Sequence, residues 1–219
     1  ICAYLIFHLP IPYSSFHIHH SLFLVSYSLL IIPHSSFIPH HCLIFDHMTD
    51  IQKPIIGFSC GDLNGIGLEI ILKSLADNRL LEMCTPVIFA SNKTVNFYRK
   101  SLPDNNFQYQ SIREFSKLNP KMLNIFNCWE EEVLITPGQL NETGGMYGRL
   151  SLVAATEALK AGHIHALVTA PIHKNNIQSD NFQHTGHTPF LKEAFGVPEV
   201  VMLMVADNMK VALLSEHVP

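Results

Sequence analysis

"KPIIGFSCGDLNGIGLEIILKSLADNRLLEMCTPVIFAS", residues 53–91, decides the fold class. Its first eight residues, 53–60, form a short, β-branched apolar run that reads as a buried strand. The turn-rich segment "GDLNGIG" (61–67) follows, and Ile70, Ile71, Leu75 and Leu80 then recur at helical spacing over 68–82. A second strand is predicted at 85–91 and another helix near 92–101. Strand, glycine-rich turn, helix and strand make a βαβ unit, whose crossover is right-handed and whose strands are parallel. The chain is therefore expected to be α/β.

Outward from this unit the pattern continues with gaps. Between about 104 and 147 the signal weakens to one expected strand at 132–136 and a long glycine-bearing loop. An amphipathic helix is predicted over 149–162, with Gly162 as its C-terminal cap. "HALVTAP" (165–171) reads as a buried strand that delivers "IHKNNI" at its carboxyl end. A helix over 188–196 ends at Gly196, and residues 199–217 read as two strands joined at Asp207-Asn208. There are no internal repeats and no heptads.

The chain has 219 residues, enough to bury a substantial core, and a formal net charge of −4. No basic run or patch appears, which removes the electrostatic support a nucleic-acid partner needs. Five cysteines, Cys2, Cys42, Cys60, Cys84 and Cys128, are scattered without a C-x-x-C pair. Neither a disulfide framework nor a thiolate zinc site is suggested, and a reducing, cytoplasmic setting fits best.

Residues 1–47 differ sharply from the rest. They carry one charged side chain, Asp46, yet hold eight of the fourteen histidines. Their longest apolar stretch, "LFLVSYSLLII" (22–32), is about half of the roughly 20 residues a membrane span needs. A positive n-region and a small-residue cleavage site are also missing, so a secretory signal is not indicated. Ser, Phe, Leu, Pro, Ile and His are largely what pyrimidine-rich codons encode, and the chain opens on Ile1. The preferred reading is upstream non-coding sequence carried into the translation, with Met48 as the start. A membrane-associated leader and a histidine-rich metal-binding tail are the alternatives. At the other end the sequence stops at Pro219 just after a strand, and truncation is the expectation.

Four motifs carry chemistry. In "GDLNGIG" the backbone N–H groups of a βα turn can approach an anion at a helix N-terminus. The spacing G-x-x-x-G-x-G is not the dinucleotide fingerprint, and Leu68 stands where a Walker A loop needs lysine. Asp62, Gly65 and Gly67 remain candidates for lining a cofactor cleft; a tight packing turn is the plainer reading. Lys174 of "TAPIHK" (169–174), at the carboxyl end of a strand, is a point charge for carboxylate or phosphate, or else a solvated loop lysine. In "HTGHT" (184–188), His187 and Thr188 at a helix N-terminus suit a phosphate or carboxylate. The plainer alternative makes Thr188 the N-cap. His184 and His187 are three apart, as a metal pair on a helix would be, but Gly186 places them on a loop. His217 of "SEHVP" ends an apolar strand, where a lone histidine is ordinarily structural.

The order "GD-x-x-GIG-x-E", "VTAPIHK", "TGHT" before "FL", and a hairpin ending in "HVP" resembles the 4-hydroxythreonine-4-phosphate dehydrogenase family of vitamin B6 biosynthesis. The resemblance runs from about Lys53 to Pro219, as the N-terminal half of that family's chain. It implies an isocitrate/isopropylmalate dehydrogenase-type two-domain α/β/α architecture and a homodimer, with 1–47 outside the fold and much of the cofactor half absent. The implied reaction oxidises 4-phosphooxy-threonine with NAD or NADP, and the β-keto acid then loses CO2 to leave an amino-ketone phosphate. His187 and Thr188 fall on the family's substrate-binding positions. His217 falls on the first of three histidines binding a divalent metal (zinc, magnesium or cobalt) across the dimer. Leu63 and Leu68 replace the family's two prolines, which removes a φ constraint without an evident clash. The other two metal histidines and further substrate contacts would lie past Pro219, so the 219 residues alone are not expected to catalyse. Dehydrogenases of related phosphorylated four-carbon acids (phosphothreonate, phosphoerythronate) share these motifs, and a non-catalytic phosphate-ligand module is the rival outside the enzyme class.

Overall fold

The computed structural model describes residues 4–7, 22–26, 53–103, 107–180, 182–206 and 209–213. Sixteen elements are defined, fifteen of them α or β. The strands are β1 (Tyr4–Phe7), β2 (Leu22–Ser26), β3 (Ile55–Ser59), β4 (Thr85–Ala90), β5 (Tyr109–Ile112), β6 (Leu123–Asn127), β7 (Ala166–Thr169), β8 (Val200–Ala206) and β9 (Met209–Ala212). The helices are α1 (Gly67–Leu75), α2 (Asn78–Met83), α3 (Asn92–Lys100), α4 (Glu142–Lys160), α5 (Lys174–Ile177) and α6 (His187–Ala194).

All nine strands join one sheet in the order β5-β6-β4-β3-β7-β1-β2-β8-β9. The five from β5 to β7 are mutually parallel, as the βαβ reading requires. β4 lies at the middle of this block and all six of its residues are buried, which is what a parallel strand covered on both faces shows. Its side chains divide by period two. Ile88 and Ala90 enter one cluster with Leu68, Leu72 and Leu75 of α1 and Val95 and Tyr98 of α3. Val87 and Phe89 enter another with Ala155, Ala158 and Leu159 of α4 and Leu191 of α6. The result is a helix–sheet–helix sandwich.

The expected helix over 68–82 divides in two. Leu68, Ile71, Leu72 and Leu75 are its buried stripe, and the break comes at Asp77, whose side chain accepts the Arg79 N–H and caps α2. The Arg79 guanidinium then holds the Asp77 carboxyl down at about 2. The helix expected at 149–162 begins at Glu142 instead. Gly144, Gly145 and Gly148 lower helix propensity by about 1 kcal/mol each relative to alanine, but Asn141 caps this end by accepting the Gly144 N–H at 2.8 Å. Gly162, at φ +74°, ends α4 as expected.

The expected strand at 132–136 does not form. Val133 and Ile135 do pack against the core, so the alternation there was real. The backbone, however, goes to a side chain rather than a ladder: Thr136 N–H donates to Asn64 Oδ1 at 2.8 Å. The strands of this region are β5 and β6, which give a weak pattern because Asn124 is fully buried; its amide donates to the Pro86, Asn119 and Met122 carbonyls. The hairpin expected over 199–217 is present as antiparallel β8 and β9, its turn at 207–208 and its end from 214 lying outside the described residues. Among the described residues, no helix is long and apolar enough to cross a membrane.

β1 and β2 lie between β7 and β8, β1 antiparallel to both β7 and β2, and β2 parallel to β8. β7 and β8 therefore run in the same direction. On the reading that the fold begins at Met48, they pair directly when 1–47 is removed, as consecutive strands of a crossover do. A chain starting at Met48 should then keep the β7 and β8 amides protected in hydrogen exchange. Loss of solubility or of that protection would show that the first 47 residues are structural.

Candidate functional site

The turn after β3 is built from the inside. Gly61 has φ +69°, a conformation side chains rarely adopt, and a β-carbon there would strike the Pro171 carbonyl. That closeness lets the Asp62 N–H reach the Pro171 oxygen at 3.0 Å, joining the carboxyl ends of β3 and β7. Open α/β sheets bind ligands outside this end of their strands.

Asp62 is 8% exposed. Its Oδ1 accepts the Asn64 N–H at 2.8 Å, a local side-chain turn. Its Oδ2 accepts Asn176 Nδ2 at 2.6 Å, from the far end of α5. The same Nδ2 donates to the Asn141 carbonyl at 2.9 Å. Asn64 Nδ2 donates to Asn141 Oδ1 at 2.9 Å, and Asn141 Nδ2 donates to Thr136 Oγ1 at 3.0 Å. Three asparagines and one aspartate thus tie together three segments that are distant in sequence, 62–64, 136–141 and the residue Asn176. Beneath them, Tyr98 OH donates to the Leu63 carbonyl, and burial together with the Asp62 charge pushes its phenol up to about 12.

The sequence candidates fall around this knot in different ways. Asp62 is inside it, with both carboxylate oxygens engaged. Gly65 is exposed at the tip of the turn. Gly67 is buried, and a β-carbon there would lie 2.6 Å from the Cys60 oxygen and 2.8 Å from Ala170 Cβ. At Gly61 and Gly67 the turn therefore serves close helix–strand packing. Lys174 is exposed as the first residue of α5, two positions from Asn176.

His187 and Thr188 open α6, the first buried and the second half-buried. The N-cap is Gly186, not Thr188, and no side chain caps this end. α6 is held by Leu191 in the core and by Phe190, which packs with Phe182 and Ile177 under α4. Arg149 of α4 fastens the same corner, donating to the Ile177 carbonyl at 3.2 Å and to Ser179 Oγ at 2.5 Å. The helices bearing Lys174 and His187 thus share one small apolar cluster. His184 stands edge-on to Phe182 and Phe190, with Nε2 3.6 Å from Glu193 Oε2; it is a packing residue of this corner.

His217 lies outside the described residues, and among the described ones no group of three His, Cys, Asp or Glu could hold a metal. Burial raises the thiols of Cys60, Cys84 and Cys128, Cys60 to about 12, which disfavours the thiolate form. Sequence reasoning missed Asn64, Asn141, Asn176 and Arg149. The one local signal was the N-cap pattern at Asn141, three residues before Gly144.

Burial pushes the His187 imidazole from 6.5 down to about 4. The unfolded chain then binds a proton more readily than the folded one, so the contribution is fully present above about pH 6.5 and is lost as pH falls towards 4. The loss reaches about 3 kcal/mol. Urea unfolding at about pH 7 and about pH 4.5 should show a smaller acid loss for His187→Gln than for the parent chain. Equal acid losses would contradict a neutral, buried ring.

The chain matches the family described as pyridoxal phosphate biosynthetic protein PdxA over residues 82–219. It is 34% identical over 169 residues to a 4-hydroxythreonine-4-phosphate dehydrogenase of Bacteroides thetaiotaomicron, covering 77% of this chain and 46% of the relative. An Oceanobacillus iheyensis relative, named provisionally as a D-threonate 4-phosphate dehydrogenase, is 29% identical, covering 76% of this chain and 51% of its own. A crystal structure of a 4-hydroxythreonine-4-phosphate dehydrogenase from Burkholderia phymatum superposes with a TM-score of 0.68 at 25% identity, covering 77% of this chain and 52% of that one. The chain spans about half the length of the curated relatives it matches. With the family matched over more than half of its residues, this mixed α/β chain with a central parallel sheet belongs to the PdxA family.

Proposed function

We propose that this chain carries the substrate-side portion of an NAD(P)-dependent, divalent-metal-dependent dehydrogenase of the isocitrate/isopropylmalate type, acting as a cytoplasmic homodimer. Its substrate is 4-phosphooxy-threonine. The secondary alcohol loses hydride to the nicotinamide and a proton to solvent, and the resulting β-keto acid releases CO2. Family membership is the observation that supports this reading, since relatives over most of this chain bear the name 4-hydroxythreonine-4-phosphate dehydrogenase.

The chain's own residues take distinct parts. With its pKa near 4, the His187 ring is uncharged at neutral pH and acts as a hydrogen-bonding group. Positive charge for the phosphate or carboxylate must then come from elsewhere, and Lys174 is the exposed cation on the neighbouring helix. Thr188 contributes a hydroxyl in the first turn of α6, where backbone donors also favour an anion. A divalent metal, when bound, would polarise the substrate hydroxyl. His217 is its proposed ligand on this chain. Among the described residues no group of three His, Cys, Asp or Glu could hold a metal, so the nicotinamide and metal sites rest on the family resemblance.

A second substrate has specific support, because relatives of similar identity are named for D-threonate 4-phosphate. NAD(P)H formation by the protein carrying this sequence should be measured with both phosphorylated acids, with and without a chelator. Turnover should require the metal and vanish in His217→Ala, whereas His187→Ala should chiefly raise KM, by about tenfold or more. Undiminished turnover with the metal removed would refute the assignment. A larger kcat/KM for threonate 4-phosphate would move it to the second substrate. Tight binding of either acid without turnover would support a non-catalytic module.

A further inference from the structure

We infer that Asn176 is a positioning residue: its side-chain amide, bridging the Asp62 carboxylate and the Asn141 carbonyl, sets where α5 presents Lys174 to the substrate. The inference rests on the substrate role proposed for Lys174.

Asn176 Nδ2 is 2.6 Å from Asp62 Oδ2 and 2.9 Å from the Asn141 oxygen. Both partners are acceptors with no proton to give, so the amide's orientation is fixed by chemistry. Its Oδ1 is buried and has no hydrogen-bond partner among the described residues; the donating half does the holding. The backbone of Asn176 is equally constrained, since a β-carbon on Gly145 of α4 would fall on its carbonyl oxygen. α5 has only four residues, too few to hold a direction by its own hydrogen bonds. Ile177, buried beside Leu152 and Phe182, anchors its last residue, and Asn176 supplies the polar tie that stops rotation about that anchor. Lys174, two residues earlier, has no polar tie of its own among the described contacts.

The carboxylate at the centre makes the tie testable through charge. Asp62 bears electrostatically on Cys60 and Tyr98, and Glu69 bears on Tyr98 as well. Burial raises Cys60 and Tyr98 each to about 12, so both stay protonated and add no charge beside Asp62. Asn176→Asp would place a second carboxylate against Asp62, and two such groups cannot both ionise without cost. One folded-state pKa must rise above its unfolded value. The variant is therefore near parental stability at low pH and loses stability as pH climbs through that raised pKa. Asp62→Asn combined with Asn176→Asp restores one amide–carboxylate bond and removes the like-charge pair.

The test compares the parent protein with Asn176→Ala, Asn176→Asp and the double variant, in thermal unfolding and in turnover of 4-phosphooxy-threonine, at about pH 5 and about pH 8. Asn176→Ala should raise KM about tenfold at both pH values while kcat changes less than about threefold. Asn176→Asp should raise KM and lower the melting temperature mainly at the higher pH, and the double variant should lose that pH dependence. Variants that melt earlier but keep the parental KM would show a structural tie only and overturn the positioning role. An Asn176→Asp variant with the parental pH profile would remove the contact itself. A parent protein with no turnover and no binding of this substrate would instead sink the proposed function, while the melting data still decide the contact.

Discussion

The hydrogen bond from Asn176 to Asp62 spans 114 residues of sequence, and the candidate site is arranged around it. It closes β3's turn onto α5 at the point where β3 and β7 lie side by side in the parallel block. Asn64 and Asn141 extend the same network to the 136–141 loop and the first turn of α4. Every charge or dipole in the network faces a complementary partner except the Asn176 oxygen. A buried carboxylate is tolerated because donors meet both of its oxygens. Removing one donor would leave charge without compensation, which costs more than the hydrogen bond is worth when present.

From that knot the architecture reaches the proposed substrate-binding residues by packing. Arg149 and Leu152 of α4 hold the 177–182 segment, and Phe182 and Phe190 carry the arrangement to α6. His187 and Lys174 end up on neighbouring short helices with opposite characters. His187 is buried and neutral, suited to directional hydrogen bonding. Lys174 is exposed and charged, and its stem needs a fixed base to be selective. Of the glycines in α4, Gly145 lies against Asn176 of α5, while Gly144 and Gly148 lie against the β3 turn at Asp62, Asn64 and Gly61.

Much of the fold was legible in the sequence, and the illegible parts have physical causes. β3 and β4 follow from short apolar runs, β4 burying both of its faces, and α1 follows from helical periodicity because it buries one regular stripe. Gly162 and Gly196 end their helices at positive φ, as their positions indicated. The start of α4 was not legible, because Gly144, Gly145 and Gly148 read as loop until their close contacts are known. Val133 and Ile135 alternate like a strand, although the backbone of the next residue, Thr136, bonds to the Asn64 side chain instead of a ladder. The asparagine knot left almost no trace, since polar residues in turns carry no period and their partners are far away in sequence. Of the candidate site residues, His187, Thr188 and Lys174 are proposed from motifs, while Asn64, Asn141 and Asn176 emerge only from geometry.

The claim that close packing at this knot sets the site is tested most directly at Gly145. Alanine is a better helix former by about 1 kcal/mol, so propensity alone makes Gly145→Ala stabilising. The structure predicts the opposite sign, because the new β-carbon would occupy the Asn176 carbonyl's position. A loss of about 2–3 kcal/mol in urea unfolding is expected. Gly186→Ala, with extended backbone and nothing within 4 Å of the added carbon, should change stability by less than about 0.5 kcal/mol. A Gly145→Ala protein as stable as its parent, or more stable, would contradict the account.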